Sequence, residues 1–135
     1  MYQTLQTATA ALKIKSKEEI PFGETQSGPK LTKTSCVLTY EGDLEGEGIF
    51  EELKVHFNPK NSVMQGLQRF TGKLLDRTGS FILKYEGRSV NGTVSSKLAV
   101  VPASATEELK GLRGEMTLRN TSEEQFAITF NYHYA

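Results

Sequence analysis

The sequence has little of several features that would identify a class of protein. Its single cysteine, Cys36, excludes a disulfide within the chain. No apolar run approaches the roughly 20 residues of a transmembrane helix, and the first residues lack the basic and apolar segments of a secretory signal. The only histidines, His56 and His133, fall on the polar sides of predicted strands, without metal-ligand spacing. We therefore expect a cytoplasmic protein with no metal or cofactor and no membrane partner.

The charges of the chain are balanced and dispersed. Sixteen Lys and Arg residues offset sixteen Asp and Glu residues, so no net field attracts phosphate backbones or anionic lipid. We expect no nucleic-acid partner. The 135 residues, 37% hydrophobic and 24% charged, fit one globular domain over residues 1–135 with a substantial core. Residues 1–10 are expected to be a peripheral or poorly ordered segment of that domain.

The hydrophobic pattern predicts an all-β fold. Strands with a period of two alternate with turn signals, of which Asn91-Gly92 is typical of a tight hairpin. The predicted strands are residues 11–15, 32–40, 49–57, 62–75, 80–86, 93–101, 111–118 and 126–134, with a turn region at 41–48. Only residues 107–112 could form a helical turn. Short connections and the cost of bare sheet edges favour a closed antiparallel meander barrel of about eight strands.

A polar residue on an apolar strand face is the best candidate for a site inside such a barrel. Leu53, Val55 and Phe57 alternate with polar residues, and the same register places Glu51 on the core face. Burial there would raise the pKa of the carboxyl group, which suits a general acid or base. Glu51 is therefore the candidate catalytic residue. A bulge near Gly48 or a position at the wet barrel mouth would remove that role.

Other polar side chains share faces with predicted core residues. Tyr85 could donate to a ligand oxygen or to a neighbouring carboxylate. Gln68 lies on the more apolar face of its strand, and a buried amide needs a partner, for which Glu51 is the natural choice. Cys36 is more typical of an inert core thiol than of a nucleophile. The candidate ligand-binding residues are Glu51, Gln68, Tyr85, Cys36, Tyr40 and Tyr132.

Five ordered motifs make nearly the whole chain, from about residue 11 to 134, similar to one known family. They are GPK at 28–30, YEGDLEG at 40–46, GLQRFTG at 66–72, GSFIL at 79–83 and VVPASATEELKGLRG at 100–114. With them the chain resembles the bacterial family catalogued as domain of unknown function 3224. The resemblance implies a calycin-like barrel similar to that of plant allene oxide cyclase, a type of barrel that often forms homo-oligomers.

The chain departs from the family pattern at two positions predicted to lie inside the barrel. The family usually has glutamate where this chain has Gln68, and histidine where it has Tyr85. The resemblance therefore supplies no acid and base pair for this protein.

Three functions fit the sequence. The first is a barrel that binds a small apolar or amphipathic molecule, oriented by Glu51, Gln68 and Tyr85. The second is a cyclase or isomerase acting on an unsaturated hydrophobic substrate, in which Glu51 moves or stabilises charge. The third is a structural or assembly protein with a filled interior. A cavity inside the barrel separates the first two functions from the third.

Overall fold

The computed structural model describes residues 5–23 and 27–135, which form one closed antiparallel barrel. The strands are β1 (Gln6–Pro21), β2 (Lys30–Gly42), β3 (Leu44–Asn58), β4 (Asn61–Leu74), β5 (Arg77–Val90), β6 (Thr93–Val100), β7 (Leu112–Asn120) and β8 (Gln125–Tyr134). Each strand pairs with the next one along the chain, and β8 closes the barrel on β1. The predicted fold class is confirmed. Within these two ranges, no helix is long and apolar enough to cross a bilayer.

The N-terminal segment belongs to the barrel. Strand β1 begins at Gln6, pairs with both β2 and β8, and buries the side chains of Ala8 and Ala10. The expectation of a peripheral segment is therefore wrong for residues 6–10, while residues 1–4 lie outside the described residues. Alanine is uncommon in strands, so the alternation that continues back from Leu12 was not recognised as a strand.

The barrel has two unlike ends. The β2–β3, β4–β5 and β6–β7 connections lie at one end, which we call the lower end. The opposite end is called the upper end. Aromatic rings fill the lower half as a continuous series of contacts. The centroid distances are 4.9 Å for Tyr40–Phe70, 5.1 Å for Phe70–Phe81, 6.1 Å for Phe81–Phe130 and 5.1 Å for Phe130–Tyr132. All five side chains are almost completely buried, so the lower half is a packed core.

The β6–β7 connection replaces a missing piece of sheet. Strand β6 pairs with β5 only from Leu83 onward, which leaves the earlier part of β5 without that neighbour. Side chains of the connection accept hydrogen bonds from β5 backbone N–H groups there. These bonds are Ile82 N to Ser104 Oγ at 3.0 Å, Ser80 N to Thr106 Oγ1 at 3.0 Å and Thr78 N to Glu108 Oε1 at 3.1 Å. A 3-10 turn at Glu107–Leu109, inside the region where a helical turn was expected, buries Leu109 fully in the lower half.

Strand β3 has the predicted period but the opposite phase. Its even-numbered residues face the interior, whereas Ile49, Leu53 and Phe57 are 46–59% exposed on the outer surface. The expectation that Leu53, Val55 and Phe57 face the core was wrong, and so was the inward placement of Glu51. These apolar residues lie beside exposed apolar residues of β4 in an outer patch, so apolar character did not identify the core face.

The predicted turn region at 41–48 is shorter than expected. Strand β2 runs to Gly42 and β3 begins at Leu44, so Asp43 is the single residue between them. The Asp43 carboxylate accepts a hydrogen bond of 2.9 Å from the backbone N–H of Thr9, which ties this connection to β1. Most of the glycine-rich segment is therefore strand.

Candidate functional site

The upper half of the barrel contains a cavity of about 180 Å³ that continues toward the upper end. Its residues come from all eight strands and from the β7–β8 connection. The lining residues are Ile14, Lys17, Thr34, Cys36, Leu38, Phe50, Glu52, Lys54, Met64, Gln68, Tyr85, Val94, Ser96, Leu98, Leu118, Glu123 and Phe126. The cavity is mostly apolar, with a small number of polar groups, which is the usual composition of a small-molecule site.

A bulge in β1 brings charged residues into the upper lumen. The pairing of β1 with β2 shifts between Ile14 and Ser16, so even-numbered residues face inward before the bulge and odd-numbered residues after it. Lys17 consequently lines the cavity, and it has no ion-pair partner among the residues that the structure describes. Glu19 lies above it and accepts a 2.6 Å hydrogen bond from the Thr32 hydroxyl.

His56 belongs to this upper layer as well. Its Nε2 atom lies 3.1 Å from the Glu19 carboxylate and 2.8 Å from Thr32 Oγ1. The placement of His56 on the polar, outer side of its strand was wrong, because the inverted phase of β3 turns its even-numbered residues inward. Burial raises the pKa of Glu19, but hydrogen bonds from Thr32 and His56 and the nearby charge of Lys54 outweigh it and lower that pKa overall.

A buried carboxylate, that of Glu52, occupies the wall of the cavity. The Tyr85 hydroxyl donates to its Oε1 atom at 2.8 Å, and Lys54 Nζ lies 3.4 Å from its Oε2 atom. In the strand register, Glu52 and Tyr85 both pair with Gly66, so their hydrogen bond crosses β4 at a position that has no side chain. Burial and then the negative charge of Glu52 raise the pKa of Tyr85, so the phenol remains a neutral donor.

A second hydrogen bond of the same kind lies at the floor of the cavity. The Tyr40 hydroxyl donates to Gln68 Oε1 at 2.6 Å, and both side chains are buried. A Cβ atom on Gly48 would overlap the Gln68 amide, so glycine on β3 is what allows the two residues to meet. Gln68 points inward as predicted, but its partner is Tyr40 and not Glu51. Burial raises the pKa of Tyr40 far above its ordinary value.

Two small side chains on β2, Thr34 and Cys36, complete the wall. Thr34 is only 1% exposed, and its hydroxyl has no hydrogen-bond partner within the described part of the chain. In the register it pairs with Glu52 on one side and Glu19 on the other. Cys36 is buried, as predicted for a core thiol, and burial raises its pKa to about 11. It is therefore a protonated thiol and a poor nucleophile at neutral pH.

Glu51, the predicted catalytic residue, lies on the outer surface. Its side chain is 58% exposed, its Oε2 atom lies 3.0 Å from Lys33 Nζ, and its Oε1 atom accepts a 3.0 Å hydrogen bond from Ser35. These two hydrogen bonds lower the pKa of the carboxyl group, whereas the inward placement had predicted a raised one. Glu51 therefore takes no part in the cavity, because the phase of β3 is inverted.

The remaining candidates divide between the cavity and the core. Gln68, Tyr85 and Cys36 line the cavity, and Tyr40 lies directly beneath it. Tyr132 is buried in the lower half, where its hydroxyl donates to Gln6 Oε1 at 3.2 Å. It does not line the cavity, because residues near the end of β8 lie at the lower end of the barrel.

Sequence reasoning missed the polar residues Lys17, Thr34, Glu52 and Lys54. Thr34 could have been found, because it alternates with Cys36 on the predicted core face of β2. The other three depend on the β1 bulge or the β3 phase, for which the sequence carried no clear signal. Over residues 5–23 and 27–135, no group of three or more His, Cys, Asp and Glu residues is close enough to hold a metal ion.

Comparisons with known proteins place the chain in a family. Residues 8–132 match the family described as "Protein of unknown function (DUF3224)". The crystal structure of a protein of unknown function from the same family, from Shewanella oneidensis MR-1, is similar to this structure with a TM-score of 0.80. The two are 24% identical, and the similarity covers 98% of this chain and 99% of the other. No curated protein matches the chain.

The resemblance to the DUF3224 motifs is thus confirmed at the level of the family and the fold. Neither comparison names the allene oxide cyclases, so that part of the resemblance stays a prediction. The family match covers all eight strands except the ends of β1 and β8. The Shewanella protein has the same fold as this chain, and the chain itself belongs to the DUF3224 family.

Proposed function

We propose that this protein binds a small apolar or amphipathic molecule in the upper lumen of the barrel. The observation that carries the proposal is the cavity, whose wall includes Thr34, a residue with a buried hydroxyl that has no hydrogen-bond partner among the described residues. An unfilled apolar space and an unsatisfied hydroxyl both cost folding free energy. The lower half of the same barrel is packed with aromatic rings, so this fold can be filled completely.

The size and the walls of the cavity indicate the kind of guest. A cavity of about 150 Å³ accommodates a benzene ring, so about 180 Å³ accommodates a six-membered ring with one or two further atoms. Phe50, Leu98 and Phe126 supply apolar walls, whereas Glu52 and Lys54 supply a polar edge. A compact molecule with one polar group fits this division better than a long acyl chain.

An enzymatic function would use the same cavity. In a cyclase or isomerase, the charge-stabilising role first assigned to Glu51 would pass to Glu52. Tyr85 and Lys54 both contact the Glu52 carboxylate, so partners within the protein already balance its charge. This arrangement supports a role as a fixed hydrogen-bond acceptor, which favours binding over proton transfer.

Methionine methyl NMR tests whether the cavity takes a guest. Met64 lines the cavity, while Met116 is fully buried outside it and serves as an internal reference. With methyl-labelled protein and benzyl alcohol as the probe, we expect a saturable shift of the Met64 signal and little change at Met116. The absence of a saturable shift at Met64 would contradict the proposal.

Adjacent serines on β6 provide matched variants for this experiment. Ser96 lines the cavity and Ser95 is exposed on the outer face. Ser96→Leu fills part of the cavity and should weaken benzyl alcohol binding at least about tenfold, since even small volume changes matter in a packed site. Ser95→Leu should bind like the unmodified protein. Equal affinities of the two variants would place the probe elsewhere.

A further inference from the structure

We propose that this protein forms a symmetric homodimer in which the outer faces of β3 and β4 pack against the same faces of a second copy. The inference is independent of the proposed function, since it concerns the outer wall of the barrel and not its lumen. It follows from the apolar patch on these two strands and from the charges that border the patch.

Exposed apolar side chains are concentrated on this part of the surface. Of the ten large apolar side chains exposed in the described part of the chain, five belong to the outer patch and are 42–59% exposed. They are Ile49, Leu53 and Phe57 on β3, with Val63 and Leu67 on β4. Leu67 lies diagonally from Leu53 and Ile49 in the register, so the patch is continuous. A contiguous apolar patch of this kind marks an interaction surface.

The position of β3 and β4 in the barrel decides how a partner can bind there. Each of the two strands is hydrogen-bonded to a neighbouring strand on both sides. Neither strand has a free edge at which another chain could extend the sheet. A partner must therefore pack on the outer faces of the strands, as one sheet packs on another in a β-sandwich.

Charged side chains border the patch in two adjacent rows of the strand register. The first row runs from β2 to β5 through Lys33, Leu53, Gln65 and Glu86. The second row runs across the same strands through Ser35, Glu51, Leu67 and Lys84. The first row thus has its positive charge on the β2 side of the patch and its negative charge on the β5 side.

The second row has the opposite order of charge. The Glu51 carboxylate accepts a 3.0 Å hydrogen bond from the Ser35 hydroxyl and lies 3.0 Å from Lys33 Nζ. Both partners are on β2, so the negative charge of this row lies toward the β2 side, whereas Lys84 is on β5. Positive and negative charges therefore alternate both along the strands and across the patch.

This alternation makes the patch complementary to itself. A two-fold axis parallel to the strands brings the β2 side of one copy to the β5 side of the other, so Lys33 faces Glu86 and Glu51 faces Lys84. An axis across the strands exchanges the two rows, so Lys33 faces Glu51 and Lys84 faces Glu86. Each charge meets an opposite charge in either arrangement. A second copy of the chain therefore fits the patch in its charges as well as in its apolar character.

Two leucines provide matched variants for the apolar part of the interface. Leu67 is 56% exposed in the patch, and Leu75 is 54% exposed outside it, between β4 and β5. In sedimentation equilibrium, the unmodified protein should approach twice the mass of the chain as its concentration rises. Leu67→Glu should raise the dissociation constant at least about tenfold, because it places an unpaired charge in the interface. Leu75→Glu should leave the constant unchanged.

A monomer at every concentration would overturn the proposal and leave the face to a different protein. Equal effects of the two leucine variants would overturn it as well, because the copies would then meet elsewhere. If Leu67→Glu does not fold, the charge variants decide.

Two double variants test the charges. Lys33→Glu with Lys84→Glu makes all four charges acidic, and Glu51→Lys with Glu86→Lys makes all four basic. Each double variant alone should sediment as a monomer, because like charges then face each other about either axis. An equimolar mixture of the two should recover a dimer, which contains one acidic and one basic copy.

The mixture separates a lost interface from a lost fold, because mixing cannot restore a chain that has unfolded. A mixture that stays monomeric would overturn the proposed interface. None of these results bears on the cavity, for which the Met64 signal remains the separate test.

Discussion

Two hydrogen bonds inside the barrel cross a whole strand by passing over a glycine. On the inner face of the barrel, the Tyr85 hydroxyl on β5 bonds to Glu52 on β3 across Gly66 of β4. The Tyr40 hydroxyl on β2 bonds to Gln68 on β4 across Gly48 of β3. Each glycine gives up side-chain packing in its own strand, which weakens a strand locally. The buried polar groups gain partners in return, so these glycines support the site as much as the residues that bond across them.

The Tyr85–Glu52 hydrogen bond should contribute measurably to stability. Tyr85→Phe removes the donor and leaves the buried Glu52 carboxylate with fewer partners, so we expect the free energy of unfolding to fall by about 1–3 kcal/mol. Urea denaturation measures the change. Glu51→Gln is the matched control, because the Glu51 carboxylate is exposed and its loss should leave the urea midpoint unchanged. A larger effect at Glu51 than at Tyr85 would contradict the assignment of the buried carboxylate.

Part of the site was predictable residue by residue. Gln68, Tyr85 and Cys36 were placed inside the barrel correctly, because each continues an apolar alternation that the sequence shows. The inward position was assigned to Glu51, whereas it belongs to Glu52. The reason is that β3 carries apolar residues on its outer face and charged residues on its inner face. A site that needs buried charge reverses the usual meaning of an alternating pattern, and local propensity cannot reveal such a reversal.

At the scale of elements, β3 and β4 approach each other closely at Gly66. A Cβ atom there would overlap the carbonyl oxygen of Glu51 and lie 2.9 Å from the Glu52 Cα atom. These are backbone contacts, so no side-chain rotation could relieve the overlap. The two strands would have to separate.

Gly66→Ala should therefore destabilise the barrel by about 1–3 kcal/mol, the usual range for overpacking. The adjacent variant Gln65→Ala, which changes an exposed residue on the outer face, should change the free energy of unfolding by less than about 0.5 kcal/mol. Urea denaturation of both variants compares them directly. Similar stabilities would show that β3 and β4 have more freedom than the structure indicates.

The elements themselves were largely predictable. All eight strands and the Asn91-Gly92 hairpin were located, because turn residues separate clear alternating segments. The start of β1 and the bulge after Ile14 were not predicted. Alanines obscured the first of these, and a bulge depends on the pairing of two strands and not on the composition of one.

At the scale of the whole molecule, the barrel divides into a packed lower half and an open upper half. Phe81 is completely buried among other aromatic rings, whereas Phe50 is half-buried at the wall of the cavity. The two halves should therefore respond differently to loss of a phenyl ring. The expected homo-oligomer and the cytoplasmic location stay predictions.

Phe81→Ala should lower the free energy of unfolding by about 3–5 kcal/mol, as is usual for an aromatic residue in a tight core. Phe50→Ala should cost clearly less, because its ring already borders open space, and it should enlarge the cavity. Thermal or urea denaturation measures both changes. A larger loss for Phe50 than for Phe81 would contradict the division into a packed and an open half.

The wall of the upper half is uneven in height. Strand β1 pairs with β8 only as far as Lys13, yet it continues to Pro21 beside β2 alone. Above the hydrogen bond from the Ile14 N–H to the Glu124 carbonyl, β1 has no strand paired with it on the β8 side among the described residues, which leaves a gap in the sheet near Lys17. A guest could enter and leave through this gap while every strand stays paired, so its exchange would be faster than any opening of the sheet.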